Sequence, residues 1–356
     1  MKITSVEITP VRVPLEIPYG ETTAVGAVVA QLRTDEGVEG LGHAITLSVR
    51  HFRSTAVAAE ELGELLVGED PSQIERLHRK MLPDGGATGG IANGAAAALD
   101  VALWDLAGKT AGKPLYQLCG GYRNRIPCYA SLRLGRDLPL AKLTETAASL
   151  VDQGFRAMKM NLGGQATLEG DLERVRAVRE TIGPDVNLLT DVNFRWTPAQ
   201  AIRAGHALEE FRLFWFEDPV PTYNLEGLAE VREALHTPIA AGEALYGFTS
   251  FRPLFEARAL DVPMPDLVRV GGITPYLKVA HLAETFSLPL ACHLLPEISA
   301  QVIAGVPNGL IIEFVPFAWP LFHNCPHREG GELVMSGEPG HGLELNADFV
   351  KANRVV

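Results

Sequence analysis

Three carboxylates bound the chemistry this chain could perform. Asp191, Glu217 and Glu243 recur at intervals of 26 residues. Each closes a short apolar run, over 186–191, 213–217 and 238–243, that reads as a β-strand. One strand, one helix and two loops of a β/α repeat take roughly that many residues. The spacing therefore predicts three acids at the same ends of three adjacent parallel strands. Carboxylates converging in one place repel one another unless a hard cation sits between them. Oxygen-only ligands suit Mg²⁺ or Mn²⁺ better than Zn²⁺. A single strand-end acid reads as a helix N-cap or a solvated charge, but three in register read as a metal site.

Other polar residues fall at the ends of neighbouring strands. Lys159 and Asn161 are two apart in Met158-Lys159-Met160-Asn161, so on a strand they share a face. A buried lysine is costly without a partner, so the acids or a ligand must answer Lys159. A structural ion pair is the plainer alternative. Asp266 and His293 end successive strands, and a carboxylate beside an imidazole fixes its tautomer and raises its basicity. That pairing predicts general acid/base work by His293. Glu313, in the apolar run 310–314, could be protonated and donate a hydrogen bond, or could pair with a lysine.

The elements that must position these groups follow from the rhythm of the chain. From about residue 125, strands near 127–132, 155–161, 186–191, 213–217, 238–243, 261–266, 288–293 and 310–314 alternate with amphipathic helical stretches. That pattern predicts an α/β fold, a TIM-type (β/α)7β barrel, with its chemistry at the C-terminal strand ends. Before it lies a small antiparallel meander over 3–43 and helices near 50–67, 71–82 and 91–110. The expected architecture is a capping α+β domain (1–124), a barrel (125–318) and a Pro- and Gly-rich tail (319–356) returning to the cap. Residues 15–25 and 84–90 read as loops folding over the mouth. The glycines of 84–90 do not make a phosphate cradle, since no strand leads in and no Lys-Ser/Thr follows.

Totals narrow the function classes. A chain of 356 residues, 47% hydrophobic and 21% charged, suits a soluble enzyme of about two domains. A net charge of −12 argues against nucleic acid or an anionic membrane as partner. It leaves room for an anionic small molecule, because a bound cation inverts the local sign. The four cysteines have no zinc spacing and read as reduced thiols. With no signal peptide or membrane span read from the sequence, the expectation is cytoplasmic.

Along almost its whole length the chain resembles the mandelate racemase and muconate-lactonising branch of the enolase superfamily. The resemblance rests on the helix 97–109, on Pro114-Leu115 and on Leu118-Cys119-Gly120-Gly121. It extends through Asp191-Val192-Asn193, Phe216-Glu217-Asp218-Pro219 and Gly242-Glu243. It continues through Pro265-Asp266 with Gly271-Gly272-Ile273-Thr274, and His293 with Glu297-Ile298-Ser299. Asp266 with His293 is similar to the mandelate racemase-like subgroup and its His–Asp dyad. The resemblance implies that Mg²⁺ on Asp191, Glu217 and Glu243 holds a substrate carboxylate. His293 then removes the α-proton, and the metal and Lys159 stabilise an enediolate. It also implies a dimer or octamer.

One departure matters. Where the family commonly has a second lysine, this chain has Asn161, and an amide cannot take a proton. That weakens a two-base racemase and favours one-base β-elimination, as in the family's acid-sugar dehydratases. Some of these use a histidine where Asn193 stands, so His293 would carry both steps, implying syn elimination. Asn161 and Asn193 are then substrate-binding positions. The expected reaction is dehydration of a sugar acid to a 2-keto-3-deoxy acid. The alternatives are a racemase or epimerase with Lys159 as second base, a barrel kept for binding alone, and a metal-dependent hydrolase or aldolase. Tyr19, Thr22, Arg133, Arg195, Trp319 and His323 are candidates for setting the substrate.

Overall fold

In the computed structural model, which describes residues 1–47, 49–86 and 89–355, the chain opens with an antiparallel sheet. Its strands are β1 (Ile3–Tyr19), β2 (Thr22–Thr34) and β3 (Glu39–Thr46), in that order. The stretch expected as a loop at 15–25 is thus a long hairpin. Pairing runs to Pro14 opposite Ala24, shifts register, and resumes at Tyr19 opposite Thr22. The bulge absorbs Pro14 and Pro18, which cannot donate to a ladder. Ala87 and Thr88 of the second expected loop, and the Tyr19 side chain, lie outside what is described.

Helices α1 (Phe52–Glu64), α2 (Ile74–Met81) and α3 (Ile91–Ala111) cover the sheet. Helix α3 is buried on most of its circumference. Its alanines allow close approach: a Cβ at Gly42 of β3 would stand 2.1 Å from the Ala98 carbonyl oxygen. Glycine at 42 is what lets strand and helix touch backbone to backbone. After the one-turn α4 (Leu115–Leu118) come the barrel strands. These are β4 (Arg125–Leu134), β5 (Ala157–Asn161), β6 (Asn187–Asp191), β7 (Trp215–Glu217), β8 (Ile239–Ala241), β9 (Val262–Pro263), β10 (Leu290–Ala291) and β11 (Gly309–Phe314).

These strands are parallel, in the order β10-β11-β4-β5-β6-β7-β8-β9. Among the described residues, the ring closes through a single parallel bridge between Asp266 and His293. Four helices between strands begin at side-chain caps, on Thr167, Thr197, Asn224 and Asp266. One follows Thr197-Pro198, with a capping box between Thr197 and Gln200.

Inside the barrel, Tyr129, Ala157, Leu189, Trp215, Ala240, Met264, Ala291 and Ile311 pack as one apolar cluster. Side chains alternate along a strand, so the next inward position is two residues on. From this floor, that step reaches Ser131, Lys159, Asp191, Glu217, Gly242, Asp266, His293 and Glu313. The polar layer sits directly on the apolar one.

The tail divides its contacts. Its strand β12 (Glu332–Val334) pairs antiparallel with Arg125–Pro127 of β4, where β4 projects past its parallel neighbour. An unpaired strand end is a template for pairing. Further on, Arg354 bridges Val11 of β1. Between these, His341 is buried against the cap: its Nε2 donates to the Leu41 carbonyl at 2.7 Å, and its Nδ1 accepts from the Leu343 amide at 3.1 Å. Asp105 of α3 accepts from the Leu41 and His341 amides and pairs with Lys109. Among the described residues no helix is long and apolar enough to cross a membrane, and the four cysteines are free.

Burial pushes the His341 pKa down, despite the nearby Asp105 carboxylate. The unfolded chain then takes up this proton first as pH falls, so stability drops below the ordinary histidine pKa of about 6.5. His341→Gln should flatten the fall of melting temperature between about pH 7 and pH 5 relative to the parent chain. An unaltered slope in a thermal-melt pH series would remove His341 from that role.

Candidate active site

Lys159 lies at the centre of the mouth, 3% exposed. Its Nζ is 2.5 Å from Glu217 Oε1, 2.9 Å from Glu313 Oε1 and 3.6 Å from Asp191 Oδ2. Burial alone would lower the Lys159 pKa, but the surrounding carboxylates outweigh it and raise it well above the usual lysine value. The carboxylates thus favour the ammonium form of Lys159.

Every neighbour of Glu313 donates to it: Ser131 Oγ at 2.7 Å, the Leu294 amide at 2.9 Å, and Lys159. Against the burial penalty, Lys159 and His293 hold its pKa down to about 2. Of the two sequence readings, the lysine pair is the one this geometry fits, and a protonated donor is not.

The acids form a crowded arc. Ligand oxygens of Asp191, Glu217 and Asp218 all lie within 4.8 Å of one another, and all three residues are buried. Burial and mutual repulsion raise the pKa values of all three, with Lys159 opposing. Asp191 accepts from the Asn193 amide at 2.7 Å, and Glu217 from Trp215 Nε1 at 2.8 Å. Asp218 is 0% exposed, and neither of its oxygens has a hydrogen-bond partner. An oxygen-only set with excess negative charge and an orphaned carboxylate fits a hard divalent cation.

Asp218 was not singled out by its position in sequence, because alternation sends the residue after Glu217 outward. Its backbone is left-handed, at φ 44°, and its strongest charge interactions are with Glu243, Asp191 and Glu217. Such strain in a non-glycine residue costs on the order of 1–3 kcal/mol and collects at functional sites. Around the same rim Leu132, Asn193, Phe194, Leu294 and Leu295 also have positive φ.

Glu243 differs from the other two predicted ligands despite the even spacing. Strand β8 ends at Ala241, and Glu243 emerges from the turn beyond it, past Gly242 at φ 122°. It stands 3.3 Å from His293 Nε2 and 3.8 Å from Arg269 Nη1. Its charge reaches the three-acid group, where it helps to raise the pKa values of Asp191, Glu217 and Asp218.

Asp266 satisfies both readings of a strand-end acid. Its Oδ1 accepts from the Val268 and Arg269 amides, capping α5 (Leu267–Val270), while Oδ2 bonds His293 Nδ1 at 2.7 Å. Nδ1 is thus held, and Nε2 faces Glu243. Burial would lower the His293 pKa, but Glu243 and Asp266 together lift it to about 9. Across the mouth, Asn161 Nδ2 donates to Asp191 at 3.3 Å and Asn193 at 3.2 Å, and Asn193 Nδ2 donates to Asp191 at 2.8 Å. Both amides are braced on the acid cluster. Of the proposed specificity residues, Arg133 and Arg195 line a cavity beside Asn161, and Trp319 packs on Phe314 in a separate groove. His323 is exposed on a tail ribbon, and Thr22 opens β2.

Residues 1–120 match the mandelate racemase / muconate lactonizing enzyme N-terminal domain, and residues 142–349 the enolase C-terminal domain-like family. An L-talarate/galactarate dehydratase of Salmonella typhimurium is 34% identical, over 91% of this chain and 81% of its own. An L-talarate dehydratase from Polaromonas, solved with Mg and L-glucarate, superposes with TM-score 0.93 at 35% identity, covering 100% of this chain and 98% of that one. A racemase from Streptomyces coelicolor with bound magnesium gives TM-score 0.93 at 32% identity, covering 99% and 100%.

Asp218→Asn removes a buried charge that no donor answers. The metal-free protein should melt at a higher temperature, and Mn²⁺ should bind about 10–100-fold more weakly in a calorimetric or EPR titration. Unchanged Mn²⁺ affinity would place Asp218 outside the cation's surroundings.

Proposed function

Because the chain belongs to the mandelate racemase / muconate lactonizing enzyme family of the enolase superfamily, we propose that it dehydrates a sugar acid to a 2-keto-3-deoxy acid. The observation that carries this reading is the asymmetry of the mouth. One face presents the Asp266–His293 pair, bonded at 2.7 Å, and the other presents the amide of Asn161. A racemase needs a proton-transfer group on both faces, whereas elimination needs only one that takes a proton and returns it.

Asp191, Glu217 and Glu243, with Asp218 beside them, are the residues that would hold Mg²⁺. A bound Mg²⁺ supplies Lewis acidity that orients the substrate carboxylate and offsets the charge developing on it. Lys159, an ammonium in a water-poor pocket, adds to that offset. In its neutral form, favoured above the pKa of about 9 that Glu243 and Asp266 give it, His293 Nε2 takes the proton from C2, leaving an enediolate, while Asp266 holds Nδ1–H. The same imidazolium then gives its proton to the C3 hydroxyl. The C3–O bond breaks, water leaves, and the C2–C3 double bond forms. The enol tautomerises to the 2-keto acid. Use of one imidazole for both transfers makes the elimination syn. Glu313, braced by Ser131 and the Leu294 amide, keeps Lys159 in place.

A panel of aldonic and aldaric acids with Mg²⁺ tests this reading. At least one acid should give a 2-keto-3-deoxy product. His293→Asn should slow its formation, and α-proton exchange with deuterated water, about 10²–10⁴-fold, while still binding Mn²⁺. Deuterium exchange accompanied by the opposite C2 stereoisomer and no keto acid would instead identify an epimerase.

A further inference from the structure

Beside Asn161, on the side of the mouth away from His293, lies a cavity of about 600 Å³. The β1–β2 turn roofs it, and it takes Arg133, Arg136, Lys142 and Arg195 on its walls against a single carboxylate, Asp137. Such a concentration of positive charge is unusual in a chain of net charge −12. Lys142 is answered by Glu145, but among the described residues Arg133 and Arg195 make no ion pair or hydrogen bond. Leu132 at φ 60° is where β4 breaks its alternation, and Leu132 and Arg133 both line the cavity.

The cationic wall is built rather than incidental. Arg174, largely buried, donates to the carbonyls of Gly135 at 2.9 Å and Leu138 at 2.6 Å, fixing the loop that carries Arg136. A Cβ on Gly164 would stand 2.8 Å from Arg136 Cβ, and one on Gly163 would stand 3.4 Å from Arg195 Cδ, so both stems lie against this glycine pair. Arg136 Nη2 donates to Asn193 Oδ1, and Asn193 bonds Asp191 at 2.8 Å. One amide side chain therefore separates the acid cluster from the first guanidinium. Guanidinium forks match carboxylate and phosphate oxygens.

We propose that this cavity binds a second anionic group at the far end of the substrate. It rests on the reading above, in which the reacting carboxylate sits at the acid cluster. The substrate is then a sugar diacid or a sugar acid with a terminal phosphate, and not a simple aldonic acid.

The test uses Mg²⁺-loaded His293→Asn protein and calorimetric titration with pairs that differ only at C6. Galactarate is compared with galactonate, glucarate with gluconate, and 6-phosphogluconate with gluconate. A member carrying the second anion should bind at least 10-fold more tightly than its partner. Arg133→Gln/Arg195→Gln added to this protein should reduce that ratio at least 10-fold. Arg136 is left intact because it also holds Asn193. Preference for a hexarate assigns a carboxylate subsite, and preference for 6-phosphogluconate a phosphate subsite. Equal binding within every pair, or a ratio that survives the double substitution, overturns the proposal. Tighter binding of hexonates overturns it while leaving dehydration standing. A retained diacid preference without keto acid from the parent enzyme overturns dehydration alone, and no binding by any acid overturns both.

Discussion

The structure depends on one ammonium ion enclosed by carboxylates. Lys159 touches Glu217 and Glu313 and lies near Asp191, with all four nearly sealed from water. Buried charges of this kind are costly to desolvate and are held only by good geometry. That geometry needs a closed ring to bring strands 5, 6, 7 and 11 inward together, and a lid to exclude water. The apolar floor of Tyr129 and Trp215 keeps solvent out from below, and Trp215 also donates to Glu217. A cation, an imidazole or a substrate's charge placed at this mouth would stand within the field that this cluster sets.

The lid is joined to the ring through helix α3. Asp100 accepts from the Thr274 amide at 2.9 Å and its hydroxyl at 2.6 Å, and Trp104 donates to the same hydroxyl. Asp105, one turn further on, gathers the cap strand β3 and the tail at His341. These contacts are buried and polar, so they have direction as well as strength. The sequence marks of this helix, small residues with isolated aspartates, record a three-way junction rather than an ordinary amphipathic surface.

Much of the site was legible because a strand repeats every two residues and a β/α unit every two dozen or so. Those periods located Lys159, Asp191, Glu217, Asp266, His293 and Glu313 on one inner layer. What escaped were positions where the backbone leaves its period. Asp218 turns toward the mouth only through a left-handed residue. Glu243 sits in a turn beyond Gly242, so its even spacing hid a different setting. Arg136 lies on a loop whose course is fixed by Arg174, a partner 38 positions later that no local pattern links to it. The pairing of β12 with β4 joins residues about two hundred apart and carries no local signal.

The bridge between Asp266 and His293 is the last joint of the ring as well as the contact between acid and imidazole. Elsewhere adjoining staves share a ladder, whereas here the two ends meet at a single rung. A change that widens this gap must pull the two side chains apart in the same movement. Packing near the seam therefore bears on the acid–imidazole contact as directly as on closure of the ring.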